Sequence, residues 1–288
     1  MSRRLLLFTL ILLIIISSNL LMNNQKVQSK EKEIKYKENS ALALNYHRIR
    51  NDNFFDDFLS IFSNSKELST YSITKEEFEK QIKWLKEQHA HFLTEEEFIK
   101  YKKIGKFPKR SVWINFDDMD QSIYKNAHPV LEKYNIPATG FVITGNVGAE
   151  NFNNLNLITL KELKKMKKSG LWTFSSHTNN LHKLSKNKSM MVKTSNKNFV
   201  DDISKSNEYL KKHFNYDNES LAYPYGQIDQ EKEKNLKKAG IKYGYVLEER
   251  PVEPGDDNYY IPRILVSDDA FHQIIQKWDG FKNEQKKD

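Results

Sequence analysis

Apolar residues in this chain follow two alternating patterns: short runs of strand length and longer stretches with a single apolar face. The short runs fall at 41–47, 111–116, 138–143, 171–176, 220–222, 243–247 and 261–266. Thr74 with Glu77, Thr94 with Glu97 and Thr159 with Glu162 each carry the capping-box spacing that opens a helix. Behind the first of these, Phe78, Ile82 and Leu85 share one helical stripe. Further helices are expected over 122–134, after Thr159 up to Gly170, near 201–213, ahead of Gly240 and from Asp269 onward. Residues 51–70 read as a long loop. Residues 183–198 show no period and read as a mobile loop, either a flap or a surface insertion. No internal repeat is visible. Strands separated by helices predict βα units and an α/β fold with a parallel sheet or barrel. In such folds, catalytic groups stand at the C-terminal ends of the strands.

The first residues address the chain rather than fold it. Arg3 and Arg4 precede an apolar stretch at 5–16, broken only by Thr9, and polar residues follow. This predicts a signal peptide over 1–29, with an uncleaved anchor as the alternative. Residues 30–40 form a charged leader, and 41–288 are expected to be one catalytic domain. The expected location is outside the cell, in association with its surface. Aromatic residues make up 12% of the chain, enough for a sizeable core. There is no cysteine, which rules out disulfides, thiolate ligands, a cysteine nucleophile and a lipoprotein anchor. The net charge is +8, but the basic residues are dispersed among glutamates. They predict a solvated surface with a modest pull toward anionic polymers, and no nucleic-acid binding.

Asn115, Phe116, Asp117 and Asp118 carry the strongest chemical signal. Two adjacent carboxylates at the exit of a buried strand are costly unless something uses them. His177 ends another strand and His182 follows five residues later. One aspartate and two histidines make a metal-ligand set. The second aspartate is then left to act as a base, which is the equipment for hydrolysis by a water that a divalent ion activates. The plainer reading of the aspartate pair is a helix cap or a solvated turn, with Asp120 or Ser122 capping the next helix. His89, His91, His128, His213 and His272 read as structural. The same residues leave open a two-histidine, one-carboxylate iron oxygenase and a non-catalytic glycan-binding surface protein.

Taken together, these segments resemble the polysaccharide deacetylase family, also called NodB-homology or family 4 carbohydrate esterases. The resemblance spans roughly 41–280, with the NodB-homology core at about 111–288. It implies a distorted (β/α) barrel. By resemblance, Asp117 is the general base, and Asp118, His177 and His182 hold a divalent ion, zinc first, with cobalt or nickel as alternatives. Pro224, Tyr225 and Gly226 match the family's third motif, in which the tyrosine N–H helps bind the oxyanion. That motif's arginine is absent here, and Arg263 is the candidate partner for Asp117; its alternative is an ordinary surface arginine. The family's last histidine is also missing, because Ser267 stands in its place. The strand ending in His47 supplies a comparable group, as in a circularly permuted subgroup that includes deacetylases of poly-β-1,6-N-acetylglucosamine. The resemblance therefore implies His47 as the general acid and an N-acetylglucosamine polymer as substrate. Peptidoglycan or chitin-type polymers are the alternatives. As the acid, His47 is expected to have an unperturbed or raised imidazole pKa. The oligomeric state is not legible in the sequence.

Overall fold

The computed structural model describes residues 39–51 and 71–282. The expected signal peptide, nearly all of the charged leader and most of the 51–70 loop lie outside the described residues. Among the described residues, no helix is long and apolar enough to cross a membrane.

Seven parallel strands close into a barrel. They are β1 (Ala41–Tyr46), β2 (Ser111–Phe116), β3 (Ala138–Val142), β4 (Trp172–Ser176), β5 (Ser220–Ala222), β6 (Tyr243–Leu247) and β7 (Ile261–Leu265). β2 through β7 pair in sequence order. Closure comes from β1, which pairs with β2 along its whole length, Ala41 to Ser111 through Tyr46 to Phe116. On its other side Leu44 and Asn45 pair with Ile264 and Leu265 of β7. The barrel expected from the resemblance is therefore present. A two-residue strand, His91–Phe92, pairs with Ser111 and Val112 at the base of β2.

Strand alternation sorts the side chains into two cores. Leu42, Leu44, Val112, Ile114 and Phe116 face outward, onto Phe78, Ile82 and Leu85 of helix α1 (Lys75–Glu87). Ala41, Ala43, Trp113, Phe141 and Tyr245 face inward. Trp113 of β2 lies 4.9 Å from the ring of Tyr245 on β6, a contact that crosses the barrel. Phe98 of helix α2 (Glu95–Lys103) stacks on Trp113 at 4.7 Å and helps fill the interior. Two residues beyond Ala43 on β1, Trp113 on β2 and Ile261 on β7, the inward positions turn polar: Asn45, Asn115 and Arg263, all fully buried.

All three predicted capping boxes are present, with Thr74, Thr94 and Thr159 as N-caps. The third opens helix α4 (Leu160–Lys168), which stops before Gly170 at φ 80°. The helix expected over 122–134 is irregular. A π-helical turn, Ile123–Ala127, precedes helix α3 (His128–Tyr134). Pro129, with no N–H to donate back, explains the break. The expectation of a patternless 183–198 loop is corrected. Leu184–Ser185 and Lys188–Ser189 form an antiparallel hairpin. Lys186 and Asn187 both have positive φ, as a type I′ turn requires. A helical turn, Met190–Lys193, then buries Met191, and helix α5 (Asn196–Phe214) begins at once. Strands of two residues are too short to show a period, which is why the sequence pattern hid them.

Gly244 of β6 is the tightest glycine position among the described residues. A Cβ there would overlap the Tyr223 hydroxyl, which donates to the Tyr259 carbonyl at 2.9 Å. Gly244→Ala is expected to lower stability by about 1–3 kcal/mol through overpacking. A fall in the urea midpoint at unchanged slope measures this.

Candidate active site

The two aspartates part company because β2 ends between Phe116 and Asp117. Asp117 N–H still donates to the Tyr46 carbonyl at 3.0 Å, so its side chain keeps the inward direction. Asp118 and Met119 then take positive φ values of 64° and 60°, which turns the Asp118 carboxylate toward the histidines. Left-handed non-glycine residues cost on the order of 1–3 kcal/mol each and persist where their surroundings fix them. Neither aspartate is a cap. Asp120 takes that part, accepting from Ser122 N–H at 3.0 Å.

Asp117 is gripped by Arg263. Nη1 donates to Oδ1 at 2.6 Å and Nη2 to Oδ2 at 2.9 Å. Arg263 is fully buried and lies over the rings of Phe141, at 5.1 Å, and Tyr245, at 5.8 Å. It is therefore not a surface arginine. Its Nη1 also donates to Asn115 Oδ1 at 3.0 Å, and Asn45 Nδ2 donates to the same oxygen at 3.0 Å. Burial alone would raise the Asp117 carboxyl pKa. The guanidinium and His177 outweigh burial and hold it below the usual carboxylate range.

The histidines meet Asp118. His177 follows β4, and its Nδ1 sits 2.8 Å from the Ala222 carbonyl. A carbonyl only accepts, so Nδ1 carries the proton and the Nε2 lone pair is free. His177 Nε2 is 3.4 Å and His182 Nε2 is 3.0 Å from Asp118 Oδ1. One donor atom from each of the three residues lies within 4.8 Å of the others. Ligands about 2.0–2.2 Å from one tetrahedral ion stand about 3.3–3.6 Å apart, so the spacing suits a small divalent ion. Asp118 Oδ1 is buried without a hydrogen bond. Two imidazole nitrogens converging on an orphaned carboxylate oxygen fit a divalent cation. Burial disfavours the Asp118 anion, yet the two histidines hold its pKa well below the carboxylate range. Burial lowers the His177 pKa, but Asp117 and Asp118 raise it further, and the net shift is upward.

His47 and Tyr225 complete the rim. His47 directly follows β1, and its Nε2 is 3.9 Å from Asp117 Oδ2. The Tyr71 ring stands 4.8 Å from the His47 ring. The expectation of an unperturbed or raised imidazole pKa is corrected. Burial pulls it down to about 4, against the opposite effect of Asp117 and Asp118. Tyr225 sits in the turn Pro224–Gly226 with φ 61°, and its ring is 4.8 Å from His182. Asp117, Asp118, His177, His182, His47 and Tyr225 line one cleft of about 60 Å³, together with Arg48, Tyr71, Asn153, Leu155 and Leu247. Sequence reasoning missed Asn45, Tyr71 and the Ala222 carbonyl. The signal for Asn45 was a polar residue in an otherwise apolar strand; Tyr71 and a backbone carbonyl left none.

A family model for polysaccharide deacetylases matches residues 104–244. A poly-β-1,6-N-acetyl-D-glucosamine N-deacetylase of Staphylococcus aureus is 59% identical over 251 residues, 87% of each chain. The chain belongs to the polysaccharide deacetylase family. The Staphylococcus epidermidis enzyme of the same name is 56% identical over 262 residues, 91% of each chain. The structure of IcaB from Ammonifex degensii superposes with a TM-score of 0.73 at 27% identity, covering 85% of this chain and 98% of that one. Membership makes this deacetylase a hydrolase of amide C–N bonds, rather than the oxygenase or glycan-binding module that its residues alone left open. The family's metal dependence matches the donor set of Asp118, His177 and His182.

Arg263→Met leaves the Asp117 carboxylate buried without its partner. Losing one member of a buried pair costs about 3–5 kcal/mol. Adding Asp117→Asn to Arg263→Met is expected to recover part of that loss, and urea unfolding of the double-mutant cycle measures the coupling.

Proposed function

We propose that this chain is a secreted, metal-dependent N-deacetylase that removes acetyl groups from poly-β-1,6-N-acetyl-D-glucosamine. The observation that carries the reading is the three-residue donor set beside a separate arginine-held carboxylate. It is joined by 59% identity to deacetylases named for that polymer. Residues 1–29 serve as export signal and 41–288 as catalytic domain, and the enzyme works at the cell surface.

Asp118, His177 and His182 hold the ion, zinc by its donor set, with cobalt or nickel able to take the same ligands. When bound, the ion supplies Lewis-acid polarisation of the acetyl carbonyl and an acidified water. Asp117 is the base. Arg263 holds both of its oxygens and keeps it ionised, so it can take a proton from the attacking water. The Tyr225 N–H donates to the oxyanion that forms on the acetyl carbon. His47 protonates the departing amine. With its pKa depressed to about 4, His47 rests neutral and acts as acid only after receiving a proton. The proton that Asp117 takes from the water is the source; Asp117 Oδ2 lies 3.9 Å from the His47 Nε2. The products are acetate and a glucosamine unit that becomes cationic at neutral pH.

The test is acetate release from β-1,6- and β-1,4-linked N-acetylglucosamine oligomers, with and without a chelator. Turnover on the β-1,6 oligomer that is abolished by chelator is expected. A preference for the β-1,4 oligomer would point to a peptidoglycan or chitin-type substrate instead.

In the same assay, Asp117→Asn is expected to keep bound metal and lose about 10²–10⁴ in rate. His47→Ala should slow amide cleavage strongly and cleavage of an activated ester much less, since a good leaving group needs little protonation. Equal losses on both substrates would remove His47 from the mechanism.

A further inference from the structure

Four residues, 178–181, separate the two histidines, and the backbone between them is held on all sides. Thr178 has φ 72°, a conformation that a β-branched residue adopts only when its surroundings impose it. Its N–H donates to Ser176 Oγ at 3.1 Å, and that hydroxyl is paired with Ser206 Oγ at 2.8 Å. Asn179 N–H donates to Asp202 Oδ1 at 2.8 Å, and Asn180 N–H donates to Asp202 Oδ2 at 2.9 Å. Leu181 N–H donates to Thr178 Oγ1 at 3.2 Å. On the opposite side, Thr144 and Gly145 N–H groups donate to the Thr178 and Asn179 carbonyls at 3.1 and 2.9 Å.

Asp202 and Ser206 stand one turn apart on α5. Asp202 is the charged group in this scaffold. Its two oxygens take consecutive backbone amides, a pair of charge-assisted hydrogen bonds with fixed geometry. It is also far from the reacting groups in role: it does not line the cleft.

We infer that Asp202 is a positioning residue for the metal site: its carboxylate clamps the loop between His177 and His182 and so sets how His182 meets Asp118. The inference rests on the reading of Asp118, His177 and His182 as the ligand set. It adds a supporting contact that acts through the backbone, beyond the Ala222 carbonyl that orients His177. Without the clamp the loop samples other conformations, and the ion must select the competent one at a cost in affinity.

The experiment measures zinc affinity by competition with a chromogenic chelator, and the melting temperature of the metal-free protein. The proteins are the unsubstituted chain, Asp202→Asn, Asp202→Glu, His182→Ala and, as control, Glu208→Ala on the exposed face of the same helix. An asparagine oxygen accepts one of the two amides, and its NH₂ cannot accept the other. Asp202→Asn is expected to weaken zinc binding by about 10- to 100-fold, the range for outer partners of metal ligands. Asp202→Glu is expected to keep the charge and fall in between, and Glu208→Ala to match the unsubstituted chain. Zinc affinity that is unchanged in Asp202→Asn overturns the inference alone, provided that His182→Ala loses zinc. A lower metal-free melting temperature with unchanged affinity, or failure of both Asp202 variants to fold, makes Asp202 a residue of the fold and overturns it too. An unsubstituted chain that binds no stoichiometric zinc overturns the ligand reading and this one together.

Discussion

The ion pair between Arg263 and Asp117 is the interaction on which the site depends. Both groups are buried inside the barrel mouth, where an unpaired charge costs several kcal/mol. The barrel meets that cost in layers. Trp113, Phe141 and Tyr245 fill the interior below and give the guanidinium an aromatic floor. Asn115 and Asn45 supply a polar shelf beside it. The carboxylate above completes the arrangement. Arg263 holds both oxygens of Asp117, while the left-handed turn at Asp118 and Met119 carries the second carboxylate to His177 and His182. The turn after β2 separates the two adjacent aspartates, and the last strand of the barrel supplies the arginine that fixes the first of them.

Much of this was legible in the sequence, for reasons that differ by element. The capping boxes at Thr74, Thr94 and Thr159 are local hydrogen-bond patterns, and the structure has all three. The barrel strands show because each buries one face on helices and the other on the interior, which produces continuous apolar runs. The Asp–Asp pair and the two histidines stood out because polar groups at strand ends are expensive. The hairpin at 184–189 did not show, because its pairing is two residues long and its turn uses Lys186 and Asn187 rather than a glycine. Asp202 was equally invisible. It reads as one more acidic residue on an amphipathic helix until the loop it holds is seen.

Arg263 and His47 lie between these cases. The sequence nominates Arg263 as the partner of Asp117 and His47 as an acid, but the contact of each with Asp117 depends on β1 sitting between β2 and β7. The family model stops at residue 244 and begins at 104, so it contains the metal donors and leaves out both flanking strands. The chemistry on those strands depends on a closure that no local pattern encodes. The depressed imidazole of His47 has the same origin. It reflects how deeply the closing strand seats the ring, which burial decides and sequence spacing does not.

That closure also orders the birth of the enzyme in time. A chain synthesised from its N-terminus makes β1 first and β7 last, and contacts between such distant segments form late because the intervening loop must be closed. Without the pairing of Ile261–Leu265 with Leu44 and Asn45, a chain carrying every metal donor would still lack the arginine of its base. The base and its arginine come together only where the first and last strands meet.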